Sequence, residues 1–148
     1  MENTQGTVKA VCLSPRKGER KPPVDRARIK AGQGLEGDAH AGPGPRQISL
    51  LCAEEVDEVR AKYSLELTPG IFGENLLVQG IRVAQLPVGT TLSVGETATL
   101  RITKIGKECH APCVIGRTTG DCLMPKRGVF AEVLTDGEVA PGDPVAVV

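Results

Sequence analysis

Aromatic side chains are nearly absent from this sequence: Tyr63, Phe72 and Phe130 are the only three and tryptophan is missing, so platforms for stacking nucleic-acid bases are excluded. A dominant charge is lacking as well. Eighteen Lys and Arg balance eighteen Asp and Glu, which removes the broad positive field of a protein that grips nucleic-acid phosphates. Long apolar runs are missing too. The longest, Ile48 to Ala53 with only Ser49 interrupting it, stops far short of the roughly 20 residues that span a bilayer, and Met1 to Ala10 has no signal-peptide core. The expected setting is therefore cytoplasmic, with no membrane and no nucleic acid as partner. Five cysteines, an odd number without a secretion signal, point to reduced thiols, metal ligands or a reactive sulfur before a disulfide framework.

The 148 residues are expected to form one domain, 1–148, with a sizeable core that needs no staple. Eighteen glycines and eleven prolines punctuate short segments rich in Val, Leu, Ile and Thr, the habit of an all-β chain with many turns. Strands are expected at Thr7–Leu13, Glu74–Val78, Thr90–Val94, Thr97–Ile105 and Pro144–Val148, with a hairpin from Val129–Leu134 through Thr135-Asp136-Gly137 to Glu138 onward. Ala53–Tyr63 reads as a helix. Glu54, Glu55, Asp57 and Glu58 crowd its start and Arg60 and Lys62 its end, the order that the helix dipole favours. Ser14–Lys30 reads as a basic loop, solvated or closing over an anion, with seven cations against two carboxylates. The sum is a mainly β fold, a closed or nearly closed barrel with one or two peripheral helices.

The chemistry concentrates between Gly106 and Cys122. Lys107, Cys109, His110, Pro112, Cys113 and Cys122 fall within this stretch. Cys109, His110, Cys113 and Cys122 are the ordinary donors of structural zinc, but three residues separate the first two cysteines and no second paired motif follows. A nucleophile or sulfur carrier needs a thiolate, which positive charge and a helix N-terminus favour. Lys107, His110 and Arg117 supply charge, and Pro112 can open a short helix through Val114–Arg117. Cys113 is thus the expected reactive thiol and Cys109 the second. Cys12 and Cys52, in apolar runs, read as buried small side chains.

A second constellation, Gly34–Gly42 followed by Arg46–Leu50, combines dense glycine with His40 and Arg46, donors suited to an oxyanion or phosphate. It lacks the lysine of a P-loop and is no dinucleotide fingerprint. A third, Thr68–Leu76, holds Asn75, whose carboxamide can serve a heterocycle edge or its own turn. His40, Arg46, Lys107 and the basic loop are expected to share one mouth of the barrel with the cysteines.

Taken together these stretches resemble MOSC domains, named for the C-terminal domain of molybdenum cofactor sulfurases. The resemblance rests on GLEGDAHAG (Gly34–Gly42), RQISLL (Arg46–Leu51), PGIFGENLLVQGI (Pro69–Ile81), LPVGTTLSVGE (Leu86–Glu96), the Cys109–Cys113 segment and MPKRGVFAEVLTDGEVAPGDPV (Met124–Val145). It implies the small stand-alone type, with no pyridoxal phosphate. It also implies a barrel that handles the pterin-based molybdenum cofactor and works with that cofactor, its biosynthetic proteins or a sulfur-donating protein. By the same resemblance His40, Arg46 and Asn75 would contact cofactor, and the charges of Lys107 and His110 beside the cysteines are expected to join them. Cys113 or Cys109 would bear sulfur, or Cys113 would ligate molybdenum. Cys122 leaves room for a resolving thiol or a metal. The expected function is sulfur carriage or transfer in cofactor maturation. The alternatives are a molybdenum-cofactor-dependent reductase of N-hydroxylated compounds and a zinc-stabilised binding module without catalysis.

Overall fold

A computed structural model of the chain describes residues 4–15, 21–39, 41–63, 69–70, 72–106 and 128–148. Its framework is a closed barrel of seven strands. In chain order the strands are β1 (Gln5–Cys12), β2 (Pro23–Val24), β3 (Ala27–Lys30), β4 (Gly34–Leu35), β5 (Ile48–Cys52), β6 (Leu76–Gln79), β7 (Thr91–Val94), β8 (Ala98–Ile105), β9 (Val129–Thr135), β10 (Gly137–Val139) and β11 (Pro144–Val147). One helix, α1 (Ala53–Tyr63), and a 3-10 turn at Val83–Gln85 complete the described elements. The sheet runs β11-β7-β8-β9-β5-β6-β1, and pairing of β11 with β1 closes it; β2 hangs on β1, and β10-β3-β4 form a separate three-stranded sheet.

Alternation writes the wall. On β8 Ala98, Leu100 and Ile102 are buried while Thr99 and Arg101 face outward, the period of a strand with one apolar face. Bulges between Thr99 and Leu100 and between Ile102 and Lys104 add the twist that closure requires. β5 breaks the alternation, since all five of its residues are buried. Ile48, Leu50 and Cys52 enter the barrel core, while Leu51 packs outside under α1. β5 and β6 are parallel, Leu50 beside Leu76, and α1 supplies the crossover that parallel neighbours need.

The helix forms over the residues expected. Its Ala53, Val56 and Val59 pack with Ala10, Cys12, Leu51, Phe72 and Leu77 into a second apolar cluster outside the barrel. Burial of each valine stabilises by about 1.5–3 kcal/mol. The Glu54 carboxylate accepts the backbone N–H of Gly80 at 2.9 Å, joining the helix start to the end of β6.

Two expectations are corrected. Ser14–Lys30 is not simply a loop, because β2 and β3 lie within it. Val129–Val139 is not a hairpin: β10 pairs with β3, Glu138 opposite Arg28, and joins the smaller sheet. The turn chemistry at Asp136-Gly137 is real, but it redirects the chain between sheets. Thr97 Oγ1 donates to the Asp136 carbonyl at 2.9 Å, and a Cβ on Gly137 would come within 2.7 Å of the Ala98 nitrogen.

Candidate functional site

Register places a row of outward-pointing residues across four neighbouring strands of the barrel. Ser49 on β5 faces Phe130 on β9. The pairings of Leu50 with Leu76 and of Val11 with Leu76 bring Asn75 beside Ser49 and Cys12 beside Asn75. At the usual 4.8 Å between strands the row from Phe130 to Cys12 spans about 14 Å. All four residues are buried although they point away from the barrel core.

Asn75 ties the row together. Its Oδ1 accepts the Ser49 N–H at 3.0 Å and the Ser49 hydroxyl at 3.2 Å, and its Nδ2 donates to the Cys12 carbonyl at 3.1 Å. Its own N–H reaches Ser49 Oγ at 3.1 Å. Both ends of the carboxamide are therefore engaged inside the protein. Glu74 is buried next to it and accepts the N–H groups of Gly70, at 2.8 Å, and Phe72, at 3.2 Å. Burial pushes the Glu74 carboxyl above its ordinary value, against the pull of those N–H donors and of the Lys21 charge.

Beyond Cys12 stands an ion pair sealed from solvent. Lys21 Nζ lies 2.7 and 2.8 Å from the two Asp38 oxygens, with the side chains 2% and 0% exposed. Asp38 also accepts the Ser14 N–H at 3.1 Å, the Ala39 N–H donates to the Ser14 carbonyl, and the Lys21 N–H donates to the Gly70 carbonyl. Gly70, with φ of +86°, is the one residue type that fits here: a Cβ would sit 1.6 Å from the Lys21 carbonyl oxygen. Burial, with the Glu74 charge adding and the Lys21 charge opposing, pushes the Cys12 thiol up to about 12. Burial likewise raises the Cys52 thiol. Both cysteines are held as inert neutral thiols, as their apolar surroundings implied.

At the other end of the row the Arg46 guanidinium lies over the Phe130 ring, 5.5 Å from its centroid, a cation–π contact worth about 0.5–1 kcal/mol when exposed. Arg46 is itself exposed. No carboxylate pairs with it among the described residues. The Thr103 hydroxyl, between the carbonyls of Pro45 and Phe130, fastens the stretch before Arg46 to β8 and β9. Two residues before Phe130, the Gly106 N–H donates to the Gly128 carbonyl at 2.6 Å, a neck that brings together the two described residues flanking 107–127.

The structure thus joins the glycine-rich constellation to the Glu74-Asn75 constellation, through Ser49 and through the Asp38–Lys21–Gly70 chain. Lys107, Cys109, His110, Cys113, Cys122 and His40 lie outside the described residues. Lys21 is no solvated cation. Sequence reasoning missed it together with Asp38, Ser49 and Glu74; the one signal available was that Asp38 and Glu74 stand inside glycine-rich turns, where a carboxylate readily collects backbone N–H groups. Arg26 and Arg28 part from Lys21. They line a cavity of about 490 Å³ with Glu96, Asp136, Glu138 and Asp143, at the β7–β8 turn. The length of β8, roughly 20 Å, separates it from the neck. Its carboxylate excess suits no phosphate. Among the described residues no group of three His, Cys, Asp or Glu could hold a metal ion, and no helix is long and apolar enough to cross a membrane.

Comparison with known proteins gives a consistent result. The MOSC domain family matches over residues 36–146. A comparison with curated protein sequences gives no match. Among solved structures the chain is similar to the YUAD protein from Bacillus subtilis, at TM-score 0.75 and 21% identity, covering 97% of this chain and 95% of that one. It is similar also to YiiM from Geobacillus stearothermophilus, at TM-score 0.73 and 20% identity over 97% and 75% of the two chains. YiiM from Escherichia coli follows at 0.66 and 21%, over 100% and 70%.

Proposed function

Because the chain belongs to the MOSC domain family, which is associated with the molybdenum cofactor, we propose that it handles that cofactor as a sulfur carrier in its maturation. The exposed Arg46 guanidinium seated over Phe130, two residues from the neck of the cysteine-bearing segment, carries this reading. A guanidinium with no carboxylate partner among the described residues, and fixed at its base, is ready to hold a phosphate through paired charge-assisted hydrogen bonds. The donor set fits the cofactor at that point. It does not fit at Asn75, whose carboxamide is taken up by Ser49 and Cys12.

When bound, the cofactor supplies a phosphate for Arg46 and a metal centre able to accept sulfur or a thiolate. The chain's own part is sulfur transfer at Cys113, with Cys109 close in sequence. The Cys113 thiolate attacks the outer sulfur of a persulfide on a donor protein, the donor leaves as a thiolate, and the sulfane sulfur stays on Cys113. Passing that sulfur to an acceptor returns Cys113 to the thiol. Lys107 and His110 stabilise the anion, and His40 contributes a further donor to the phosphate.

Purification from a molybdenum-replete host, with bound metal and pterin measured by mass, tests the reading together with Arg46→Ala and Cys113→Ser. Loss of one or two charge-assisted bonds, each about 1.5–3 kcal/mol, places the Arg46→Ala defect in pterin retention. Cys113→Ser keeps pterin and abolishes sulfur transfer. Zinc without pterin would overturn the proposal in favour of the binding module. Equal loss of pterin in both variants, with turnover of an N-hydroxylated compound, would replace it by the reductase in which Cys113 ligates molybdenum.

A further inference from the structure

Resting on the reading of Arg46 as a phosphate ligand, we propose that Lys104 is a second cation of that site, and that the two together select a terminal phosphomonoester over a phosphodiester. The row that runs from Cys12 to Phe130 continues onto a fifth strand. Lys104 on β8 is the register partner of Phe130 on β9, and its neighbour Ile105 packs against the barrel core, so the lysine points outward on the same face as the ring. Directly opposed side chains start about 5 Å apart at Cβ. Phe130 is thus flanked by two cations, the Arg46 guanidinium over its face at 5.5 Å from the centroid and Lys104 rooted beside it.

Neither charge is neutralised. Among the described residues Lys104 and Arg46 have no ion-pair or hydrogen-bond partner. The carboxylate on the same face, Glu132, stands two residues along β9 from Phe130 and is held by Arg101, its own register partner. Lys104 is half-buried, as suits a stem laid on apolar surface with its ammonium kept in water. Two like charges rooted around one ring repel each other, and an anion between them removes that cost. Their shapes suit different oxygens. A guanidinium takes two oxygens of one phosphate in a fork, whereas an ammonium is a compact charge on a flexible stem that can meet a third. A terminal monoester offers three such oxygens and close to two charges at neutral pH, its second pKa being about 6. A diester has one oxygen fewer to offer and a single charge.

The test uses the full, cofactor-free chain at neutral pH and low salt, with phenyl phosphate as monoester and methyl phenyl phosphate as diester, affinity from calorimetry and folding from urea unfolding. The unaltered chain should prefer the monoester. Lys104→Gln should unfold at an unchanged midpoint, because the side chain points away from the core, yet bind the monoester roughly ten-fold more weakly. Its loss for the diester should be only about three-fold, since Coulomb energy scales with the ligand's charge. Lys104→Arg should retain most of the affinity. Lys9→Gln, which removes the same charge from an exposed position on β1, should leave both affinities unaltered. A Lys104→Gln chain that binds phenyl phosphate as the unaltered chain does would overturn the proposal, as would equal losses in Lys104→Gln and Lys9→Gln or equal affinity of the unaltered chain for the two esters. An unaltered chain that binds neither ester removes the Arg46 reading and the second cation with it. If the esters behave as expected while no pterin is retained from a molybdenum-replete host, the paired cations stand and the cofactor reading falls.

Discussion

Replacing Asn75 by Ala removes a carboxamide that satisfies two buried backbone groups, the Ser49 N–H and the Cys12 carbonyl, at 3.0 and 3.1 Å. A buried donor or acceptor stripped of its partner costs about 1–3 kcal/mol, so the pair sums to about 3–4 kcal/mol, a large share of the roughly 5–15 kcal/mol that holds a domain folded. With a urea dependence of about 2 kcal/mol/M for a chain of this length, the midpoint should fall by about 1.5–2 M. Asn75→Asp separates the two bonds. An ionised Asp keeps the acceptor for Ser49 but turns a charged oxygen on the Cys12 carbonyl, so it should be less stable than Asn75→Ala near neutrality. Its carboxyl, disfavoured in the folded state, carries a raised folded value. The stability it contributes is then fully present below the ordinary Asp range near 3.9 and is lost as pH rises through the raised value. Acidification should therefore narrow the gap between the two variants. Unfolding followed by circular dichroism at pH 7 and at mildly acid pH measures both effects. An Asn75→Ala chain within about 1 kcal/mol of the parent would refute the clamp and return Asn75 to the ligand contacts.

Limiting iodoacetamide, mapped by peptide mass, should label Cys113 first, then Cys109, with Cys12 and Cys52 protected by complete burial; first labelling of Cys12 would sink the assignment. Cys12, pushed up to about 12 from 9.0, stabilises the fold fully below the unfolded thiol range and loses that contribution as pH rises toward 12. Between pH 8 and 10.5 the parent should thus lose about 2 kcal/mol that Cys12→Ala does not lose, read from urea unfolding at the two pH values. Gly70→Ala forces a Cβ to within 1.6 Å of the Lys21 carbonyl oxygen at a φ of +86°. It should destabilise by about 3 kcal/mol or more, measured as a thermal midpoint drop of roughly 6–12 °C.

Local physics made much of the framework legible. The charge order from Glu54 to Lys62 and the spacing of Ala53, Val56 and Val59 specify α1 to its ends, and alternation in Thr97–Ile105 specifies β8. Partner choice was not legible. Asp136-Gly137 announces a turn whether the chain returns along β9 or, as it does, crosses to β3, because turn chemistry is local and strand pairing is not. The same limit hid the buried row. Lys21 looks like one more cation among seven until the fold brings Asp38 against it, and Asn75 looks like a turn residue until β1 and β5 flank it. Burial of a polar side chain depends on what the rest of the chain lays over it. Cys12 and Cys52 were readable, since an apolar run around a small thiol predicts its own burial.

Closure of the barrel by its outermost strands has a bearing on how the molecule is made. Val145 on β11 faces Gly6 on β1 and Val94 on β7, so one short strand joins two edges that come from distant parts of the chain. During synthesis, both edges stay open until Pro144–Val147 has left the ribosome. Open edges with apolar inner faces are templates for pairing with other chains, and non-local closure is the slow kind. The nascent protein is thus most exposed to aggregation just before β11 emerges, when α1, β5 and β6 can already have packed. Substitutions at Val145 should lower soluble yield more than their effect on the finished barrel explains, because they slow the step that removes both edges at once.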